Sequence, residues 1–147
     1  MNRKYIFISV FLVMMLMLLS SGCTSSSQNI KYDNFKKDFY KSYAIAGNYF
    51  EVNSIEEAKK NIQTDGFKQA YNSLKTYLNS INDTVPSEKK DEYQILEEWY
   101  LDLESVVNYA NNWDNITDGE KNKYFAYTTL ISMRCDDINK ENPTNKK

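Results

Sequence analysis

Cys23 and Cys135 are the two sulfur nucleophiles of this 147-residue chain, and neither has a histidine to activate it, because the sequence contains none. Zero histidines also remove the commonest general base and the usual zinc and copper ligands, which excludes Ser/Cys–His catalysis and imidazole metal sites. Asp114, Asp118 and Gly119 fall at the first, fifth and sixth positions of an EF-hand loop. Ile116 then stands at the third position and Phe125 at the twelfth, where the calcium-closing glutamate is required. The segment therefore reads as a turn between helices, and no metal site is expected. The neighbouring carboxylates Glu97-Glu98 and Asp136-Asp137 point about 100° apart on a helix and do not converge on one substrate. No catalytic residue, phosphate-binding loop or cofactor is expected, and the chain reads as non-enzymatic. A formal net charge of -2 argues against a nucleic-acid partner.

The surroundings of Cys23 give its sulfur a different chemistry. Arg3 and Lys4 form a short positive segment, and from Tyr5 to Leu19 only Ser9 is polar, which is the pattern of a secretory signal. That run ends in Ser20, Ser21 and Gly22, small residues leading into Cys23 and then into the polar stretch Thr24-Ser25-Ser26-Ser27-Gln28. In these residues the chain resembles a prokaryotic (bacterial or archaeal) lipoprotein signal peptide, in a relaxed form that has Ser20 where the strict motif has an aliphatic side chain. The resemblance implies diacylglycerol attached to the Cys23 thiol, cleavage just before it, and a domain held on the outer side of the cytoplasmic membrane. Membrane lipid, through Cys23, is then its first partner. Two acyl chains hold stably where one binds only marginally. With Cys23 consumed by lipid, Cys135 has no disulfide partner within the chain. It lies in a helical pattern with Ile131 and Ile138 and reads as a small buried apolar residue.

The remaining candidates are aromatic and acidic. Tyrosine and tryptophan pair an apolar ring with a polar handle and suit both bundle edges and binding surfaces. Trp113 and Tyr109 are the first choice for a binding site, because Asn111, Asn112 and Asn115 add amides beside them. Between Ser87 and Asp114 eight acidic side chains face two basic ones, so this helix either pairs with basic residues across the fold or offers an acidic face to a basic partner. Asn82 and Asn115 each begin a glycosylation sequon in a predicted turn.

Helices must position these groups. Phe35, Phe39, Tyr43, Ala46 and Phe50 recur every three or four residues, the mark of one apolar helix face. Ser54 with Glu57 forms a capping box that opens a second helix, whose stripe runs through Ile55, Ala58, Ile62, Gly66, Ala70, Leu74, Leu78 and Ile81. Asp65-Gly66 marks either a bend in one helix or a break between two, and the reading favours the bend. Ser87 with Glu88 predicts the start of a third helix lined by Tyr93, Leu96, Tyr100, Leu103, Val107 and Ala110, with Trp99, Val106 and Trp113 flanking. Thr117 with Glu120 opens a fourth, lined by Tyr124, Tyr127, Leu130, Ile131, Cys135 and Ile138. The expectation is an all-α protein, an up-down-up-down four-helix bundle, with a three-helix bundle containing a broken second helix as the alternative.

The expected organisation is a signal peptide over 1–22, the lipidated cysteine and a flexible stalk over 23–29, a helical bundle over 30–141 and a disordered tail over 142–147. The function expected is that of a lipid-anchored, extracytoplasmic interaction or scaffold module with an envelope protein as partner. The alternatives are a small-ligand or glycan-binding lipoprotein, or a tethered exclusion or protective factor. Metabolic labelling with a fatty acid should mark the wild-type chain, and Cys23→Ser should abolish the label and leave the uncleaved precursor mass. Labelling that survives this substitution would refute the assignment.

Overall fold

The computed structural model describes residues 3–141, with side chains described for residues 26–140. The described chain is all-α. Its helices are α1 (Arg3–Asn48), α2 (Ile55–Asn61), α3 (Asp65–Ile81), α4 (Lys90–Asn111) and α5 (Asp118–Glu141), with short 3-10 turns at Asn82–Thr84 and Ser87–Lys89. They form a bundle in which α1 packs on α3 and on α5, and α5 packs on α4. Among the described residues no helix is long and apolar enough to cross a membrane. Cys23, Ser20, Ser21 and Gly22 lie along α1 with their side chains outside the described residues, as is the expected tail 142–147.

Each helix forms where an apolar stripe can be buried. All five residues of the predicted first face, Phe35, Phe39, Tyr43, Ala46 and Phe50, are buried. Each large side chain of this kind stabilises the fold by about 1.5–3 kcal/mol on removal from water. Residues 24–29, expected as a flexible stalk, continue α1 as helix. No glycine or proline interrupts the chain between Gly22 and Gly47. Once Tyr32 and Phe35 are packed, extending the helix backwards costs far less than starting one.

The second predicted helix is not one bent rod but two helices, broken at Ile62–Thr64. Thr64 caps α3, its side chain accepting from the Phe67 amide at 3.3 Å, while the Asn61 side-chain amide donates to the Tyr49 carbonyl at 2.9 Å. Past the break the expected stripe is kept, with Ala70, Leu74, Leu78 and Ile81 buried together with the adjacent Phe67, and only Gly66 of its α3 members is exposed. Gly66 is there for space: a Cβ at this position would lie 2.2 Å from the Tyr49 hydroxyl oxygen. The third helix starts three residues later than Ser87 predicts. Ser87 bonds the Glu88 carboxylate and caps no helix, because Ser87–Lys89 folds as a 3-10 turn after the buried Pro86. The capping box at Thr117 forms as expected, with the Thr117 amide donating to Glu120 at 2.8 Å and the Glu120 amide to the Thr117 hydroxyl at 3.3 Å.

α1 and α5 are in close contact at Gly47. A Cβ there would meet the Cys135 Sγ at 2.3 Å and the Ile131 Cγ2 at 2.9 Å. Gly47→Ala should therefore lower stability by about 1–3 kcal/mol, the usual cost of overpacking, less whatever alanine returns in helix propensity. In a double-mutant cycle with Cys135→Ala the two costs should be clearly less than additive, since removing the sulfur makes room for the methyl group. Additive losses by chemical denaturation would show that these helices do not meet here.

Candidate functional site

The connections between helices bring aromatic side chains together at the end of the bundle formed by the C-terminus of α1, the segment 49–64 and the α4–α5 turn. A cleft of about 170 Å³ there is lined by Phe50, Val52 and Ile55 on one side and Trp113, Tyr124 and Phe125 on the other, with Asn53, Ser54 and Thr128 at its edge. Trp113 packs edge-on against Tyr124 at 5.2 Å and Phe125 at 5.9 Å between ring centroids. The Lys121 ammonium sits over the indole at 5.7 Å. Tyr124 is buried and anchors the group, whereas Phe125 is 58% exposed and forms the open wall.

Of the two residues singled out in the sequence, the structure therefore places Trp113 in this cleft. Tyr109 is half-buried against the core and does not line it. The expected amides do not converge either. The Asn112 side chain donates back to the Asn108 carbonyl at 2.9 Å, and Asn111 and Asn115 are exposed. Reading the sequence missed Phe125, which stands next to Tyr124 but off the buried stripe. It also missed Phe50, Val52 and Ile55, which come from elements more than fifty residues away.

Cys135 is buried, and that burial pushes its thiol up to about 12, so it stays protonated and packs as a small apolar group. Asp114 pairs with Lys59 at 3.1 Å and Asp118 with Lys121 at 3.8 Å, so both carboxylates of the EF-hand-like segment are engaged by ammonium groups. Leu130, expected in the core, is 40% exposed, because the buried face of α5 centres on Ile131, Cys135 and Ile138.

Three of the six carboxylates of α4, Glu92, Asp102 and Glu104, are turned to internal use. Asp102 binds Arg134 of α5 at 2.7 Å, and the same guanidinium reaches the Tyr43 hydroxyl of α1 at 3.4 Å and lies 5.1 Å from the Trp99 ring centre. Glu92 pairs with Lys36 of α1 and with Lys89 at 3.4 Å. Glu104 accepts from the hydroxyls of Tyr71 and Tyr100, each at 3.3 Å, and burial pushes both phenols up so that they remain donors. Glu97 and Glu98 make no ion pair among the described residues. They border a broad groove of about 590 Å³ between the 82–85 turn and α4, lined also by Lys90, Tyr93 and the half-exposed Leu101.

No family model, no curated protein and no solved structure matches this chain.

Although burial opposes it, the Lys36 ammonium, with help from Lys89, holds the Glu92 carboxyl below its ordinary range. A carboxyl whose pKa is lower in the folded state adds stability above its unfolded pKa and loses it as pH falls through the folded value. Lys36→Met should accordingly reduce thermal stability at neutral pH, with the difference from wild type shrinking below about pH 4, where glutamate protonates. A difference that does not shrink as the pH is taken below that value would show that the ion pair contributes nothing.

Proposed function

We propose that the chain is a membrane-tethered, extracytoplasmic helical module that acts by holding an envelope protein, not by catalysis. The observation that carries this reading is where the aromatic cleft lies. α1 is one continuous helix in which Cys23 stands 25 residues before Asn48, a separation of about 38 Å along the helix axis. An anchor at Cys23 would place the lipid at one end of the bundle and the exposed ring of Phe125 at the other, facing away from the membrane. Half-exposed rings around a small apolar pocket are the features that concentrate binding energy at protein interfaces. Catalysis finds less support: the buried thiol of Cys135 is held in its inert form, and half of the α4 carboxylates are spent on helix contacts.

A second reading, a small-ligand or glycan-binding lipoprotein, is favoured by the groove beside α4. Its volume falls in the roughly 300–1,000 Å³ range of small-molecule sites, and Tyr93 and Leu101 give it apolar surface.

Affinity capture from native membranes with the intact chain, run in parallel with Cys23→Ser, tests the first reading. One envelope protein recovered in near-stoichiometric amount with the tethered form, and depleted with the untethered form, is the expected result. Turnover of a substrate by the purified protein, or specific retention of a soluble sugar or metabolite with no protein recovered, would replace the proposal with catalysis or with the second reading.

A further inference from the structure

We infer that the cleft at the far end of the bundle is a receptor for one bulky apolar side chain of a partner protein, presented from a segment with basic residues beside it. The inference rests on the proposed binding role and names the surface and the chemistry of what it binds. Size gives the first reason. At about 170 Å³ the cleft is smaller than the roughly 300–1,000 Å³ of sites that enclose a whole small molecule, and it suits a single inserted side chain. Its walls are Phe50, Val52, Ile55, Trp113, Tyr124 and Phe125, so the inserted group must be apolar.

Charge gives the second reason. The segment 52–55 that forms one wall is flanked in sequence by Glu51 and Glu56, both exposed and neither in an ion pair among the described residues, the Glu51 carboxylate accepting only from the Ser132 hydroxyl of α5 at 3.5 Å. The basic groups on the elements that border the cleft each face a carboxylate, Lys59 with Asp114, Lys121 with Asp118 and Lys123 beside Glu120. The rim is therefore left with an acidic excess around an apolar centre. A partner segment carrying lysine or arginine next to a leucine, methionine or aromatic residue complements both features, the apolar group supplying affinity and the basic groups orientation and speed of encounter.

The test uses the full lipidated chain in its native membrane with the photoreactive residue p-benzoylphenylalanine at position 125, or at position 101 in the α4 groove as a comparison. Each form is also made with Glu51→Lys and Glu56→Lys together. The expected result is a cross-link from position 125 to an apolar residue of another protein that has lysine or arginine within one helical turn of it. The charge reversal should reduce its yield about fivefold at a temperature where the circular-dichroism spectrum shows the reversed chain still fully folded. The inference is overturned if position 125 reaches only lipid, glycan, a second copy of this chain or nothing, or if its cross-link is indifferent to the charge reversal. A partner that cross-links from position 101 alone would overturn this inference and leave the tethered binding module standing.

Discussion

The guanidinium of Arg134 is the point on which the arrangement of three helices depends. It is half-buried on α5, and a charge in that position is tolerated only while it is paired. Its partners come from two other helices, Asp102 and Trp99 from α4 and Tyr43 from α1. Those groups can surround one cation only when α1, α4 and α5 hold one register along the bundle. Nearby, Gly47 and Cys135 let α1 and α5 approach until the sulfur occupies the space a side chain would fill. Apolar burial supplies most of the energy, and the ion pair with the close crossing selects which of many greasy packings is adopted.

What this arrangement does to the fourth long helix explains the surface. α3 is held by α1, and its junction with α4 is made through side chains: Tyr71 stacks on Tyr100 with ring centroids 5.6 Å apart, and the Tyr93 hydroxyl donates to the Leu78 carbonyl at 3.2 Å. Beside these contacts a hollow of about 280 Å³ opens between the two helices, lined by Leu78, Tyr100 and Leu101. At the far end the same economy applies, because the short α2 and the turn at 112–117 cannot cover every ring, and Phe125 stays in water. Concave and apolar surface is thus left where the core packing ends.

Much of the fold was legible in the chain. Phe35, Phe39, Tyr43, Ala46 and Phe50 announced one buried face by spacing alone, and the Thr117–Glu120 box announced the start of α5, because both signals arise within a few turns of a single helix. The errors came where a neighbour decided. Gly66 sits on the apolar stripe by spacing, yet Tyr49 occupies the place of its side chain and the helix is interrupted just before it. Leu130 is as apolar as Ile131, but only one of two adjacent helix positions can face α1. The candidate site was half legible for the same reason. Trp113 was visible as an aromatic beside a turn, while Phe50, Val52 and Ile55 become its neighbours only when the bundle closes.

The sequence by itself determined the helical class, the apolar faces of its helices and the absence of any imidazole. These are properties of residue identity and of periods of three and four, which act over short stretches of chain. Only the tertiary structure decided that Arg134 would be shared by three helices, that Cys135 would be sealed against Gly47, that Tyr109 would turn to the core and that Phe125 would be left outside. Each of those outcomes depends on distances between residues far apart in sequence, and local spacing carries no information about them.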